Sequence, residues 1–191
     1  MFGCPGSGKG TQGVVIGKMP NLVHLAMGDI FRGLDKKSEI GKEFLSYSTK
    51  GQLVPDELTI RVFRGHVDSR VSAGEIDLSY HTLILDGIPR TTQQVELLAG
   101  VIDVKCIVHL MIDDKDALIA RLSKRAATSG RPDDADVKVI ENRIEVYERE
   151  TSPVLDAYPK KLIARVNADQ PPLAVLRDVA NCLINVVSSK I

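Results

Sequence analysis

The segment Gly3-Cys4-Pro5-Gly6-Ser7-Gly8-Lys9-Gly10-Thr11 constrains this chain more than any other. Two glycines with four residues between them, followed at once by lysine, let successive backbone N–H groups turn inward around an anion. The helix that follows presents its N-terminus to the same anion, and Lys9 adds a point charge. Such a loop joins a strand to a helix and cradles phosphate. In the short consensus Ser or Thr follows the lysine directly. Here Gly10 intervenes before Thr11, so the generic pattern matches imperfectly and a chance glycine-rich turn is the competing reading.

Downstream, short apolar runs alternate with amphipathic segments, the rhythm of an α/β fold with a mostly parallel sheet. Residues 23–26, 82–85, 106–112 and 162–166 read as strands. Residues 11–18, 40–50, 57–71, 92–99, 116–127, 135–155 and 172–187 read as helices, with Pro55, Pro153, Pro159 and Pro171-Pro172 at starts and stops. Two stretches break the rhythm. Residues 29–71 give mainly helix where a strand is due, and residues 126–137 form a polar loop between helices. Both are candidate covers over a site.

Balanced charge, 25 basic against 25 acidic residues, points to no nucleic acid partner, so an anion must be caught by clustered arginines. No run approaches the ~20 apolar residues of a membrane span, and the start shows neither a basic nor an apolar leader region. Cys4, Cys106 and Cys182 are too scattered for a disulfide framework or a zinc ribbon and read as small buried hydrophobes. The cytoplasm is the expected compartment. His24, His66, His81 and His109 form no constellation and take no role.

The longer string Gly3-x-Pro5-Gly6-Ser7-Gly8-Lys9-Gly10-Thr11-Gln12 resembles the hallmark of adenylate kinases and their close relatives. The resemblance runs to about residue 168. It implies a three-layer α/β/α P-loop NTPase fold: one domain over residues 1–191, with a helical NMP-binding insertion at about 29–71 and a short lid at about 126–137. Pro5, Gly6, Ser7, Gly8, Lys9, Gly10 and Thr11 would then hold the ATP phosphates. Members of the family place an apolar strand of several residues before this loop, whereas only Met1 and Phe2 precede Gly3. The first strand is therefore expected to be truncated or missing.

On the acceptor side, Gly28-Asp29-Ile30-Phe31-Arg32 resembles the family's monophosphate motif, with Arg32 as the phosphate fork. Leu85-Asp86-Gly87-Ile88-Pro89-Arg90 resembles its second signature, usually with phenylalanine at the place of Ile88. Asp86 ends a strand at the ligand crevice and would hold Mg²⁺ through water, while Gly87 and Arg90 would meet the acceptor phosphate. The plainer readings are a surface helix residue for Arg32 and a turn cap for Asp86.

Gln94 stands where adenylate kinases place the glutamine that meets adenine, and Gln52, Leu53 and Val54 where they line the base pocket. Met27 stands where AMP-specific members have threonine, and UMP/CMP kinases alanine. Arg121 and Arg125 lie four apart on one helix face, Arg131 in Ser129-Gly130-Arg131-Pro132-Asp133-Asp134, and Arg143 beside the stripe Ile140, Ile144, Tyr147. Together with Lys9 and Arg90 they resemble the family's catalytic cations, though salt bridges to Glu141, Glu145 or Asp133 compete for each. Ala168 would offer backbone to the ATP adenine. The short lid lacks cysteines, so no zinc is expected.

The resemblance thus implies a monomeric phosphotransferase acting on ATP and AMP, with Mg²⁺ and with neither nucleic acid nor membrane as partner. UMP/CMP kinase is the alternative enzyme. A nucleotide-binding module that has lost catalysis through N-terminal truncation is the alternative class.

Overall fold

The computed structural model of the protein describes residues 1–129 and 134–188. The order is β1 (Phe2–Gly3), α1 (Lys9–Ile16), β2 (Leu22–Ala26), α2 (Met27–Arg32), α3 (Glu39–Ser48), α4 (Asp56–Ser72), β3 (Thr82–Asp86) and α5 (Thr92–Leu98). Then follow β4 (Ile107–Met111), α6 (Lys115–Ser129), α7 (Val137–Val146), β5 (Ile163–Asn167) and α8 (Pro172–Ser188). All described pairings are parallel: β1 with β4, β4 with β5, and β2 with β3, with Ala26 opposite Asp86. These strands make one three-stranded sheet in the order β1-β4-β5 and one two-stranded sheet β2-β3.

Parallel strands covered on both faces read as continuous apolar runs, which is why Ile-Val-His-Leu-Met of β4 carries so little polarity. Alternate residues serve opposite layers. Ile107 packs with Phe2 of β1 and with Val154, whereas Val108 and Leu110 pack with Val175 and Val179 of α8 and Ile16 of α1. A second core joins Leu58, Phe63 and Val67 of α4 to Met27, Phe31 and Leu98. A third joins Leu118 and Leu122 of α6 to Ile140 and Ile144 of α7, beneath Cys4.

The sequence placed four of the five strands within one or two residues, and a strand stands ahead of the phosphate loop as well. The first strand, expected to be truncated or missing, is thus present, as a short one. β1 is two residues long and, among the described residues, pairs with β4 alone. Across the seam between the two sheets, the Met1 amine donates to the Leu85 carbonyl at 2.6 Å.

The single helix expected over residues 135–155 divides. α7 stops at Val146, Tyr147–Thr151 winds as a wider π turn, and Ser152–Ala157 tightens into a 3-10 turn. Pro153 explains the break: it offers no N–H and its ring crowds the carbonyl of the preceding turn, so the ladder cannot continue at α spacing. Of the cysteines read as buried, Cys4 is; Cys106 and Cys182 are only half-buried, at the margin of the core beside α8.

His24 of β2 lies directly against the end of α1. A Cβ on Gly17 would come within 2.6 Å of His24 Cβ and 3.0 Å of its backbone nitrogen, and Gly13 is pressed by the imidazole ring itself. Helix and strand approach this closely because neither glycine carries a side chain. Gly17→Ala is therefore expected to destabilise the protein by about 1–3 kcal/mol, the usual penalty of overpacking; a urea midpoint equal to that of the parent would contradict this.

Candidate active site

The carboxyl ends of β1, β2 and β3 and the start of α1 open onto one cavity of about 760 Å³. Gly6 and Gly8 have φ of 87° and 95°, a left-handed backbone that L side chains resist, and this turns the loop into α1 without a side-chain cap on the helix. Ser7 N–H closes the loop onto the Cys4 carbonyl at 3.0 Å. Lys9 Nζ donates to the carbonyls of Gly3 at 2.5 Å and Cys4 at 3.2 Å. Buried Ser7 Oγ has no hydrogen-bond partner among the described residues.

Burial pushes the Lys9 ammonium down to about 8; Asp86 pulls the other way, while Arg90 and Arg143 add to the fall. The sign follows directly. Between this value and the ordinary 10.5 the unfolded chain binds more protons, so through this group the fold gains stability as pH rises across that window. A polyanion beside Nζ would favour the charged form again. At pH 9, triphosphate binding is accordingly expected to take up close to one proton. Equal calorimetric heats at that pH in two buffers of different ionisation enthalpy would rule this out.

Asp86 ends β3 at the cavity wall, 8% exposed. Its Oδ2 stands 3.7 Å from His24 Nε2, beyond hydrogen-bonding reach. Burial opposes ionisation of this carboxyl, but the His24 ring, the Lys9 ammonium and the Met1 amine outweigh it and bring the acid down to about 2. An ionised carboxylate next to a phosphate loop is a donor set suited to a hard divalent cation. Among the described residues no group of three or more His, Cys, Asp or Glu comes together as a metal cage.

Arg32 donates to Asp29 Oδ1 at 2.6 Å, and Arg90 Nε to the Gly87 carbonyl at 3.0 Å, a close approach in which a Cβ on Gly87 would stand 2.8 Å from Arg90 Nη2. Gln94 is 1% exposed, its Oε1 accepting from Arg90 N–H and its Nε2 donating to Asp56 Oδ1, both at 2.7 Å. Above it Met27, 2% exposed, and the stacked rings of Phe31 and Phe44, 4.9 Å between centroids, form an apolar wall continued by Leu53 and Val54. Gln52 joins the same lining.

Across the cavity, Arg121 donates to the Ala168 carbonyl and to Asp169 Oδ1, each at 3.1 Å. Arg125 grips Asp134 with both prongs, at 2.6 and 3.0 Å, and Arg143 bonds the same carboxylate. The Asp134 side chain is fully buried, and although burial favours its neutral form, the two guanidinium groups hold its carboxyl below the usual range. α7 also meets the turn after α3. Asn142 Nδ2 donates to the Lys50 carbonyl at 2.6 Å, and Gly51, with φ of 69°, leaves no room for a Cβ, which would fall 2.9 Å from Arg143 Cγ.

One cavity therefore gathers Pro5 through Thr11, Met27, Arg32, Gln52 through Val54, Asp86, Gly87, Arg90, Gln94, Arg121, Arg125, Arg143 and Ala168. Arg131 lies outside the described residues. Reading the sequence missed three neighbours of these groups. His24 was given no role, yet its ring abuts Asp86. Asp134 is the partner of two arginines for which Glu141, Glu145 and Asp133 were weighed. Tyr147 enters the cavity lining and meets His109 Nε2 through its hydroxyl at 3.2 Å. Only strand register could have revealed the first: His24 pairs with Ile84, which sets it diagonal to Asp86 on the same face.

Known proteins resemble this chain in sequence. The family model described as adenylate kinase matches residues 1–163. An adenylate kinase of Parabacteroides distasonis is 38% identical over 164 residues, covering 83% of this chain and 82% of the relative. That of Lactobacillus acidophilus is 36% identical over 219 aligned positions, 97% of each chain. That of Bifidobacterium longum is 38% identical over 173, covering 87% and 89%. With most of its length matched by the family model and its phosphate loop, Asp86 and arginines turned into one cleft, the chain belongs to the adenylate kinase family.

Proposed function

We propose that this protein transfers the terminal phosphoryl group of ATP to AMP, reversibly, giving two ADP. The observation that carries the reading is the single cavity, with a phosphate loop at its floor, one set of cations on the acceptor side and another on the donor side. In this proposal Lys9, the loop amides and Ser7 Oγ hold the ATP phosphates. Arg121 and Arg125 flank them, and Ala168 offers backbone to the base. Arg32, Arg90 and Arg143, with Arg131 from the lid, hold AMP phosphate, while Gly87 lets Arg90 close in. Met27, Gln52, Leu53, Val54 and Gln94 form the pocket for its base.

Phosphoryl transfer asks for positioning and charge neutralisation rather than a strong base, which suits a site rich in guanidinium groups and poor in neutral-pH bases. Asp86 is the residue that would hold Mg²⁺ through water, and the ion would supply charge neutralisation and orientation at the phosphates. Residues 29–71 and the lid at 126–137 act as covers on a single domain, expelling water that would otherwise accept the phosphoryl group. The protein acts as a monomer in the cytoplasm. Among the described residues no helix is long and apolar enough to cross a membrane.

Met27 gives one specific reason to keep UMP/CMP kinase in view, since a thioether donates no hydrogen bond where a hydroxyl could. The relatives named above, each an adenylate kinase by name, weigh the other way. A coupled assay of ADP formation from ATP with AMP, CMP or UMP decides. AMP as the preferred acceptor is the expected result; preference for a pyrimidine would overturn the base assignment, and nucleotide binding without ADP production would leave only a binding module.

A further inference from the structure

Gln94 sits almost wholly buried in the first turn of α5, where its own N–H is capped by Thr91 Oγ1 at 3.1 Å. Its side-chain amide is tied at both ends. Oε1 accepts from the backbone N–H of Arg90, and Nε2 donates to Asp56 Oδ1, each at 2.7 Å. A backbone amide can only donate and a carboxylate accepts, so the two ties agree on one orientation: turning the amide over would face donor to donor and acceptor to acceptor. An amide carries two N–H groups and two lone pairs. One of each is left after the ties, side by side and in a fixed order, on a residue that lines the acceptor wall of the cavity.

We infer that Asp56 is a positioning residue for acceptor-base selection, fixing the order in which Gln94 presents donor and acceptor to the base. The inference rests on the reading above, in which the acceptor base lies against Gln94. Adenine offers an exocyclic amino donor beside a ring-nitrogen acceptor. Its keto counterpart hypoxanthine, otherwise the same in shape, offers a carbonyl acceptor beside a ring N–H donor. An amide locked for the first pattern meets the second with like groups opposed, and a site built to hydrogen-bond one partner rejects its mismatched analogue strongly. Asp56 itself does not line the cavity; it bonds Gln94 from 38 residues earlier, where α4 begins.

A plainer role competes: an acidic residue in the first turn of α4 favours that helix through its dipole. The two separate by substitution. Asp56→Asn removes the charge yet keeps an oxygen that can accept from Gln94. Asp56→Leu removes both. The readout is the ratio of kcat/KM for AMP to kcat/KM for IMP, with ATP as donor, alongside KM for ATP and the urea midpoint. Expected are a ratio at least ~10-fold lower in the leucine protein, one hydrogen bond's worth of discrimination, a ratio within ~3-fold of the parent in the asparagine protein, and KM for ATP unchanged in both. An unchanged ratio in the leucine protein, or an equal fall in both proteins, overturns the inference. If the leucine protein does not fold, Asp56→Glu serves instead: it keeps the charge at the helix start but displaces the carboxylate by a methylene, and it must lower the ratio likewise. Failure of the parent protein to phosphorylate AMP at all would strike the proposed function, and is distinguishable because it precedes any ratio.

Discussion

Arg90→Ala is expected to lower ATP-to-AMP transfer at least ~100-fold, the order lost when one donor to developing charge is removed. The prediction is sharper than for a usual arginine truncation. The bond to Gln94 uses the backbone nitrogen of Arg90, so it survives in the alanine protein, and only the guanidinium, anchored on the Gly87 carbonyl, disappears. Base selectivity among monophosphates should therefore persist while turnover collapses. Steady-state kinetics with AMP and IMP measure both quantities, and near-normal turnover would remove Arg90 from the reaction.

The second large effect concerns stability. Asp134→Leu leaves two guanidinium groups without the carboxylate that holds them, in a place where the lost acceptor was fully buried. Breaking a buried ion pair from one side costs about 3–5 kcal/mol, and the lower end applies because both arginine side chains keep some access to water, 33% for Arg125 and 20% for Arg143. Thermal or urea unfolding should show the loss. Asp134→Asn, which retains an acceptor of the same shape, should lose distinctly less. Equal stability of the leucine and parent proteins would mean that Asp134 holds neither arginine in solution.

Much of this architecture is legible in the residues because local chemistry determines it. Glycines and lysine in the opening loop, apolar runs of strand length, and proline punctuation dictate the elements nearly to their ends. What escapes such a reading depends on distant parts of the chain. The break after Val146 arises from a proline seven residues on, acting through backbone that an amphipathic pattern does not describe. The seam between the two sheets is bridged by a hydrogen bond from Met1 to Leu85, across more than eighty residues. In the site, residue types proclaimed the arginines, but their partner Asp134 looked like one acid among several until burial singled it out. His24 was silent because a histidine in an apolar strand announces nothing until the neighbouring strand sets Asp86 beside it.

The contact between Asn142 and Lys50, with Gly51 wedged under Arg143, bears on how the protein responds when a monophosphate arrives. Gln52, Leu53 and Val54 continue directly from that wedge, so a displacement of the base wall cannot be absorbed there by slack. Interlocked surfaces of this kind jump between arrangements instead of deforming smoothly. Arrival of the acceptor would thereby be felt at the helix that carries Arg143, and, through the Asp134 carboxylate that Arg143 shares with Arg125, at a charge proposed for the other nucleotide, giving the two substrates a mechanical conversation.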